Sequence, residues 1–197
     1  MGNSPSILAL TLLLLKNLLK KLCPKLLRVQ PMNSGIFTLT ELRWQLDQAP
    51  DRWRPLVLTN GCFDLLHAGH VRYLQAARDL GRSLVVGLNS DTSVQQIKPA
   101  TPGVPPRPIV PEQQRAEVLA ALRSVDGVVI FAELTATALI AGLQPDIYVK
   151  GGDYRIETLP EAATVQAYGG QIQFIQIEVP SSTTAIVQKI LSAKSCT

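Results

Sequence analysis

Short apolar runs, each handed on to a stretch with helical spacing, set the fold this chain can adopt. Pro55-Leu56-Val57-Leu58-Thr59, Ser83-Leu84-Val85-Val86-Gly87-Leu88-Asn89, Val128-Val129-Ile130-Phe131 and Ile147-Tyr148-Val149 read as near-continuous apolar strands, and Ile172 to Ile177 as a fifth. His70 to Gly81, Glu112 to Leu122, Thr135 to Ala141 and Leu159 to Tyr168 carry helical spacing between them, and Thr183 to Leu191, with Ser182 as N-cap, is the last helix. Strands that are apolar on both sides must be covered on both sides. The pattern therefore predicts an α/β fold, a single domain whose parallel sheet has helices on both faces. Ligands of such sheets bind at the carboxyl ends of the strands. The chemistry-bearing residues sit at those ends: Asn60 to His70, Ser90-Asp91, Lys150-Gly151-Gly152-Asp153 and Pro180 to Thr184.

The chain's two histidines, His67 and His70, lie three residues apart around Gly69, where the first of these strands hands over to a helix. Backbone N–H groups at a helix N-terminus point at anions. Two imidazoles there can hold phosphate oxygens while charge builds on them; an ordinary turn with two solvated histidines is the alternative. The G-x-G-x-x-G and G-x-x-x-x-G-K signatures are both absent, which argues against a dehydrogenase or a P-loop ATPase.

Charge adds a boundary. Lys and Arg outnumber Asp and Glu by 19 to 15, but Lys16, Lys20, Lys21, Lys25 and Arg28 all precede the fold, leaving 14 basic and 15 acidic residues in the remainder. A nucleic-acid-binding domain is not indicated. Cys23, Cys62 and Cys196 are scattered, without disulfide or metal-ligand spacing, as in a reducing cytoplasm. Residues 1–35 form a basic, Leu-rich extension whose apolar run, Ile7 to Leu15, is too short to span a bilayer. It reads as a peripheral amphipathic helix on an anionic membrane, as a myristoylation signal at Gly2, or as a mis-annotated start upstream of Met32. Membrane contact is expected only in the first two cases.

Thr59-Asn60-Gly61-Cys62-Phe63-Asp64-Leu65-Leu66-His67-Ala68-Gly69-His70 resembles the H-x-G-H motif of the nucleotidyltransferase superfamily that includes the cytidylyltransferases. Asn89-Ser90-Asp91, Arg107-Pro108 with Arg115, Val125-Asp126, Val149 to Tyr154 and Ser182-Thr183-Thr184 fall in the same order. Over about residues 36 to 191 the set is most similar to the heptose 1-phosphate adenylyltransferases, the adenylyltransferase half of bacterial ADP-heptose synthases. The resemblance implies a Rossmann-like nucleotidyltransferase domain over 36–197. It implies AMP transfer from ATP to a sugar 1-phosphate, with Mg²⁺ held through the phosphates and not by direct protein ligands. ATP and the sugar phosphate are then the partners, a homodimer is allowed, and the place of action is the cytoplasm. The 35 or so residues ahead of the match cannot hold the sugar kinase domain of the bifunctional relatives, so a stand-alone enzyme is expected.

The same resemblance assigns catalysis to His67, His70, Lys98 and Lys150. It assigns nucleotide binding to Asn60, Gly61, Cys62, Phe63, Gly69, Arg115, Ser182, Thr183 and Thr184, and sugar-phosphate binding to Asp64, Asn89, Asp91, Gly152 and Asp153. Residue chemistry leaves some roles open. Asp64 either fixes its turn or touches metal. Arg115 either swings to the phosphates or pairs with Glu112. Asp91 and Asp153 are either hydroxyl ligands or turn formers, and Cys62 is a packing residue. One departure from the family pattern stands out: a longer, proline-rich stretch separates Lys98 from Arg107, which leaves the reach of Lys98 open. A glycerol 3-phosphate cytidylyltransferase and a non-catalytic nucleotide sensor are the competing functions.

Overall fold

The computed structural model describes residues 35–100, 102, 104–152, 155–176 and 182–193. The elements run β1 (Ile36–Phe37), α1 (Leu39–Gln48), α2 (Pro50–Trp53), β2 (Leu56–Gly61), α3 (Ala68–Arg78), β3 (Ser83–Asn89) and α4 (Asp91–Ile97). They continue α5 (Glu112–Ala120), β4 (Gly127–Phe131), α6 (Thr137–Leu143), β5 (Ile147–Gly151), a 3-10 turn (Ile156–Thr158), α7 (Ala162–Ala167), β6 (Gln171–Ile175) and α8 (Thr183–Ala193). All strand pairs are parallel, in the order β1-β4-β3-β2-β5-β6. This is the parallel α/β sheet the apolar runs predict, of the Rossmann-like kind the resemblance implies.

The pleat sorts each strand between two cores. Leu56, Leu58, Val85, Val129 and Tyr148 face one layer, with Leu42 and Leu46 of α1, Trp53 of α2, Ile140 and Leu143 of α6 and Val165 of α7. Val57, Leu84, Val86, Val128 and Val149 face the other, with Leu74 and Ala77 of α3 and Ala116 and Leu119 of α5. Every residue of β3 is buried. Each Leu or Val so enclosed contributes about 1.5–3 kcal/mol over leaving it exposed.

Several boundaries differ from the sequence reading. β1, α1, α2 and α4 join the expected elements. For α1 the signal was present: Thr38 accepts from Glu41 N while the Glu41 carboxylate accepts from Thr38 N at 2.8 Å, a capping box. The expected helix from Leu159 begins only at Ala162, because Pro160 removes a donor and a 3-10 turn precedes it. α6 starts at Thr137 instead of Thr135. The last strand is seen to Ile175, and its expected end at Ile177 lies outside the described residues. So do the N-terminal extension, Cys23, Cys196 and Asp153. No helix among the described residues is long and apolar enough to cross a membrane.

Candidate active site

From β2 the chain builds outward through β3 to β4, then returns to place β5 on the other side of β2. A crevice opens at such a reversal, beyond the carboxyl ends of the two strands. Here those ends are Asn60-Gly61 and Lys150-Gly151. Two adjoining lobes of about 580 and 430 Å³ occupy it, sharing Asn60, Gly61, Cys62, Phe63, His70, Lys150 and Thr183.

The histidines open α3. His67 is its N-cap, and His67 Nδ1 accepts from Gly69 N at 3.2 Å. That bond leaves Nε2 to carry the proton of the neutral ring, which makes it a donor. The His67 and His70 rings stack with centroids 3.9 Å apart, and Phe63 lies 5.4 Å from His70 on a tilt. Phe63 itself has φ +42°, a left-handed conformation that costs a bulky residue about 1–3 kcal/mol. Burial and the neighbouring His67 push His70 down to about 4, with the Leu65 carbonyl opposing the shift.

A prediction follows for the free protein: the His70 ring titrates near pH 4 by NMR, not near its ordinary 6.5. The unfolded chain then takes up this proton before the folded one does. The group's contribution to stability is whole above 6.5 and is lost as pH falls through about 4. An NMR midpoint near 6.5 would mean a more solvated ring than the structure has.

Across the crevice, Lys150 Nζ donates to Asn60 Oδ1 at 2.8 Å, and Tyr148 Oη donates to the same oxygen at 2.7 Å. Burial lowers the Lys150 amine below the usual lysine range, while Glu161 and Cys62 oppose this. Gly152, φ +101°, turns the chain away from β5 in a conformation that L side chains rarely adopt. Ser182 caps α8 by accepting from Ala185 N at 3.1 Å, and Ser182 and Thr183 both line the larger lobe with His67, Gly69, His70 and Gly152. Lys98 and Arg107 line the smaller lobe with Asn60, Asp64, Asn89 and Lys150, so the proline-rich insertion does not remove Lys98 from the site. Cys62 lines both lobes, and burial pushes its thiol up.

Four expected ligands are engaged by other groups or lie off the lobes. The Arg115 side chain has no exposed surface, and it pairs with Asp91, not Glu112. It donates to Val110 O (2.8 Å), Cys62 O (2.6 Å), Asn89 O (2.9 Å) and Asp91 Oδ1 (2.7 Å), so it is an enclosed strut behind the crevice. Asp91 is committed to that strut, while Glu112 accepts from Asp91 N at 2.6 Å. Asp64, also without side-chain exposure, accepts from Arg107 and from Ile109 N and Val110 N at 2.8 and 3.0 Å. It clasps the far end of the proline-rich loop from the wall of the smaller lobe. Thr184 is exposed and lines neither lobe. Asn89 does reach the smaller lobe, although its amide already donates to Ser93 Oγ at 2.9 Å.

Sequence reasoning passed over Tyr73, Thr135 and Glu161, which line the crevice. Tyr73 had a signal, since it lies one helical turn after His70. Thr135 and Glu161 had none, because they come from loops distant in sequence.

The family model described as Cytidylyltransferase-like matches residues 58–193, which include every crevice residue just described. The chain belongs to the cytidylyltransferase-like family. Among its relatives, the "Bifunctional protein HldE" of Syntrophotalea carbinolica is 50% identical over 159 residues, covering 81% of this chain and 31% of that protein. The protein of the same description from Geotalea uraniireducens is 52% identical over 139 residues, covering 71% of this chain and 27% of its own length. The chain thus spans about a third of the length of the curated relatives it matches. A solved structure, the lipopolysaccharide core biosynthesis protein of Thermoplasma volcanium, is similar at TM-score 0.50 and 26% identity over 64% of this chain and 97% of that one. This cytidylyltransferase-like domain is of nucleotidyltransferase type, and the matched residues include His67 and His70.

Proposed function

We propose that residues 36–197 form a nucleotidyltransferase domain that transfers AMP from ATP to a sugar 1-phosphate. D-glycero-β-D-manno-heptose 1-phosphate is the favoured acceptor, giving ADP-heptose and pyrophosphate. One observation carries the reading: stacked imidazoles at the α3 N-terminus share a cavity with Lys150 at the switch point of the sheet. The half-identity to bifunctional relatives supports the choice of branch.

In this reaction an oxygen of the sugar phosphate attacks the α-phosphorus of ATP. The bond to the β-phosphate oxygen breaks, and pyrophosphate leaves with the electron pair. Negative charge on the α-phosphate must be met from several sides. His67 Nε2–H, the His70 ring and the Lys150 ammonium supply that, with Ser182 and Thr183 at the start of α8 toward the leaving phosphates. Most of the catalytic work is positioning and charge stabilisation, with no covalent enzyme intermediate. The lining is rich in cations, and its Asp64 carboxylate is enclosed by Arg107 and two amides. Such a donor set suits MgATP as substrate, the ion riding on the phosphates.

The test is pyrophosphate release with Mg²⁺ and ATP or CTP, each offered heptose 1-phosphate or glycerol 3-phosphate. Release confined to ATP with the heptose phosphate is the expected outcome. Release confined to CTP with glycerol 3-phosphate would assign the domain to the other branch of its family. Tight ATP binding with no release from any pair would point to a nucleotide sensor.

A further inference from the structure

The smaller lobe brings together chemically unlike walls. Lys98 and Arg107 are cationic, Leu134 and Leu159 are apolar, and Glu161 carries a carboxyl group. Glu161 is only 3% exposed. Its Oε1 accepts from Ala136 N at 3.1 Å, at the opening of α6. Its Oε2 is buried with no hydrogen-bond partner among the described residues. A carboxyl oxygen withdrawn from water and left unpaired is costly, and such atoms mark places that a ligand or a bound water completes. No loop tie or helix cap needs this second oxygen, since Oε1 alone serves Ala136.

We infer that Glu161 is a specificity residue of the acceptor lobe, accepting a hydrogen bond from a hydroxyl of the bound polyhydroxylated phosphate, directly or through one water. The inference rests on the acceptor reading above. The three kinds of wall match the three parts of such a ligand: cations for its phosphate, apolar side chains for its C–H faces, and a carboxyl acceptor for a hydroxyl. A site that hydrogen-bonds a hydroxyl discriminates strongly against ligands lacking it, because its own polar atom is otherwise stranded. The Glu161 charge also bears on Lys150, helping to keep that amine protonated.

The test compares wild type with Glu161→Gln and Glu161→Ala. Pyrophosphate release is measured with ATP and heptose 1-phosphate, and calorimetry gives separate Kd values for ATP and for the sugar phosphate. Thermal melts check folding, and the glutamine keeps an oxygen for Ala136 N. Glu161→Ala is expected to raise KM and Kd for the sugar phosphate about tenfold or more, and Glu161→Gln by less, with ATP affinity within about twofold of wild type. Equal losses for both substrates, or unchanged sugar-phosphate affinity in the folded glutamine variant, would overturn the inference. A wild type that binds the heptose phosphate without turnover would refute the proposed reaction, and the Kd comparison would still decide Glu161. Should wild type take glycerol 3-phosphate instead, that ligand's hydroxyls allow the same comparison.

Discussion

Alanine at His70 is expected to reduce turnover about 10²–10³-fold, the size of effect seen when a preorganised donor to a developing oxyanion is removed. The ring lies on the wall shared by both lobes, so it is placed to meet charge at the point of transfer. Its loss leaves His67 without its stacking partner at 3.9 Å and Phe63 without the ring at 5.4 Å. Both histidines then act as a unit, and a His67→Ala, His70→Ala double variant is expected to lose far less than the product of the single losses. Single-turnover pyrophosphate release measures this, with ATP Kd as the control for binding. A His70→Ala enzyme retaining turnover within about threefold of wild type would remove His70 from the chemistry, since even a modest acid–base or electrostatic role exceeds that.

Arg115→Ala acts on the scaffold. The guanidinium ties the turn after β2 (Cys62), the end of β3 and start of α4 (Asn89, Asp91), and the approach to α5 (Val110) to a single planar group. Removing it strands three carbonyls and a partly exposed carboxylate, and breaking a buried ion pair costs about 3–5 kcal/mol. The expected result in urea denaturation is a loss of about 4 kcal/mol, with turnover reduced because Asn60 to Phe63 are no longer held. Lysine is expected to rescue little, as one ammonium cannot replace a fork with donors on three nitrogens. A loss under about 1 kcal/mol would show that water or neighbouring groups satisfy those acceptors, and the strut would be dispensable.

The contrast between these two residues explains what could be read in advance. His67, Gly69 and His70 form a local pattern: strand, glycine and helix start lie within eleven residues, so their meeting needs no tertiary information. Lys150 and Gly152 were equally visible, at the end of an apolar strand. The roles of Arg115 and Asp64 stayed open in the sequence because most of their partners lie 24 to 53 and 43 to 46 residues away, and a lone arginine in a first helical turn looks free to swing. Glu161 was missed for the same reason, its partner being 25 residues upstream. The sheet was legible from Leu56 onward because β3 and its neighbours are buried on both faces, a composition few other folds permit. β1, with two residues, was too short to show a period.

The Asp64–Arg107 clasp gives the proline-rich stretch the character of an interchangeable cassette. One end is fixed where Lys98 N bonds Val94 O at the close of α4, and the other where Asp64 gathers Arg107, Ile109 and Val110. Residues between those anchors add span without moving either cation, and closing a longer loop costs only about 0.6 kcal/mol per doubling of its length. Nature or an engineer can therefore retailor the segment from Pro99 to Pro106, in length and composition, while Lys98 and Arg107 stay on station. A reporter or a recognition peptide therefore has a natural point of insertion here, between two cations that line the smaller lobe.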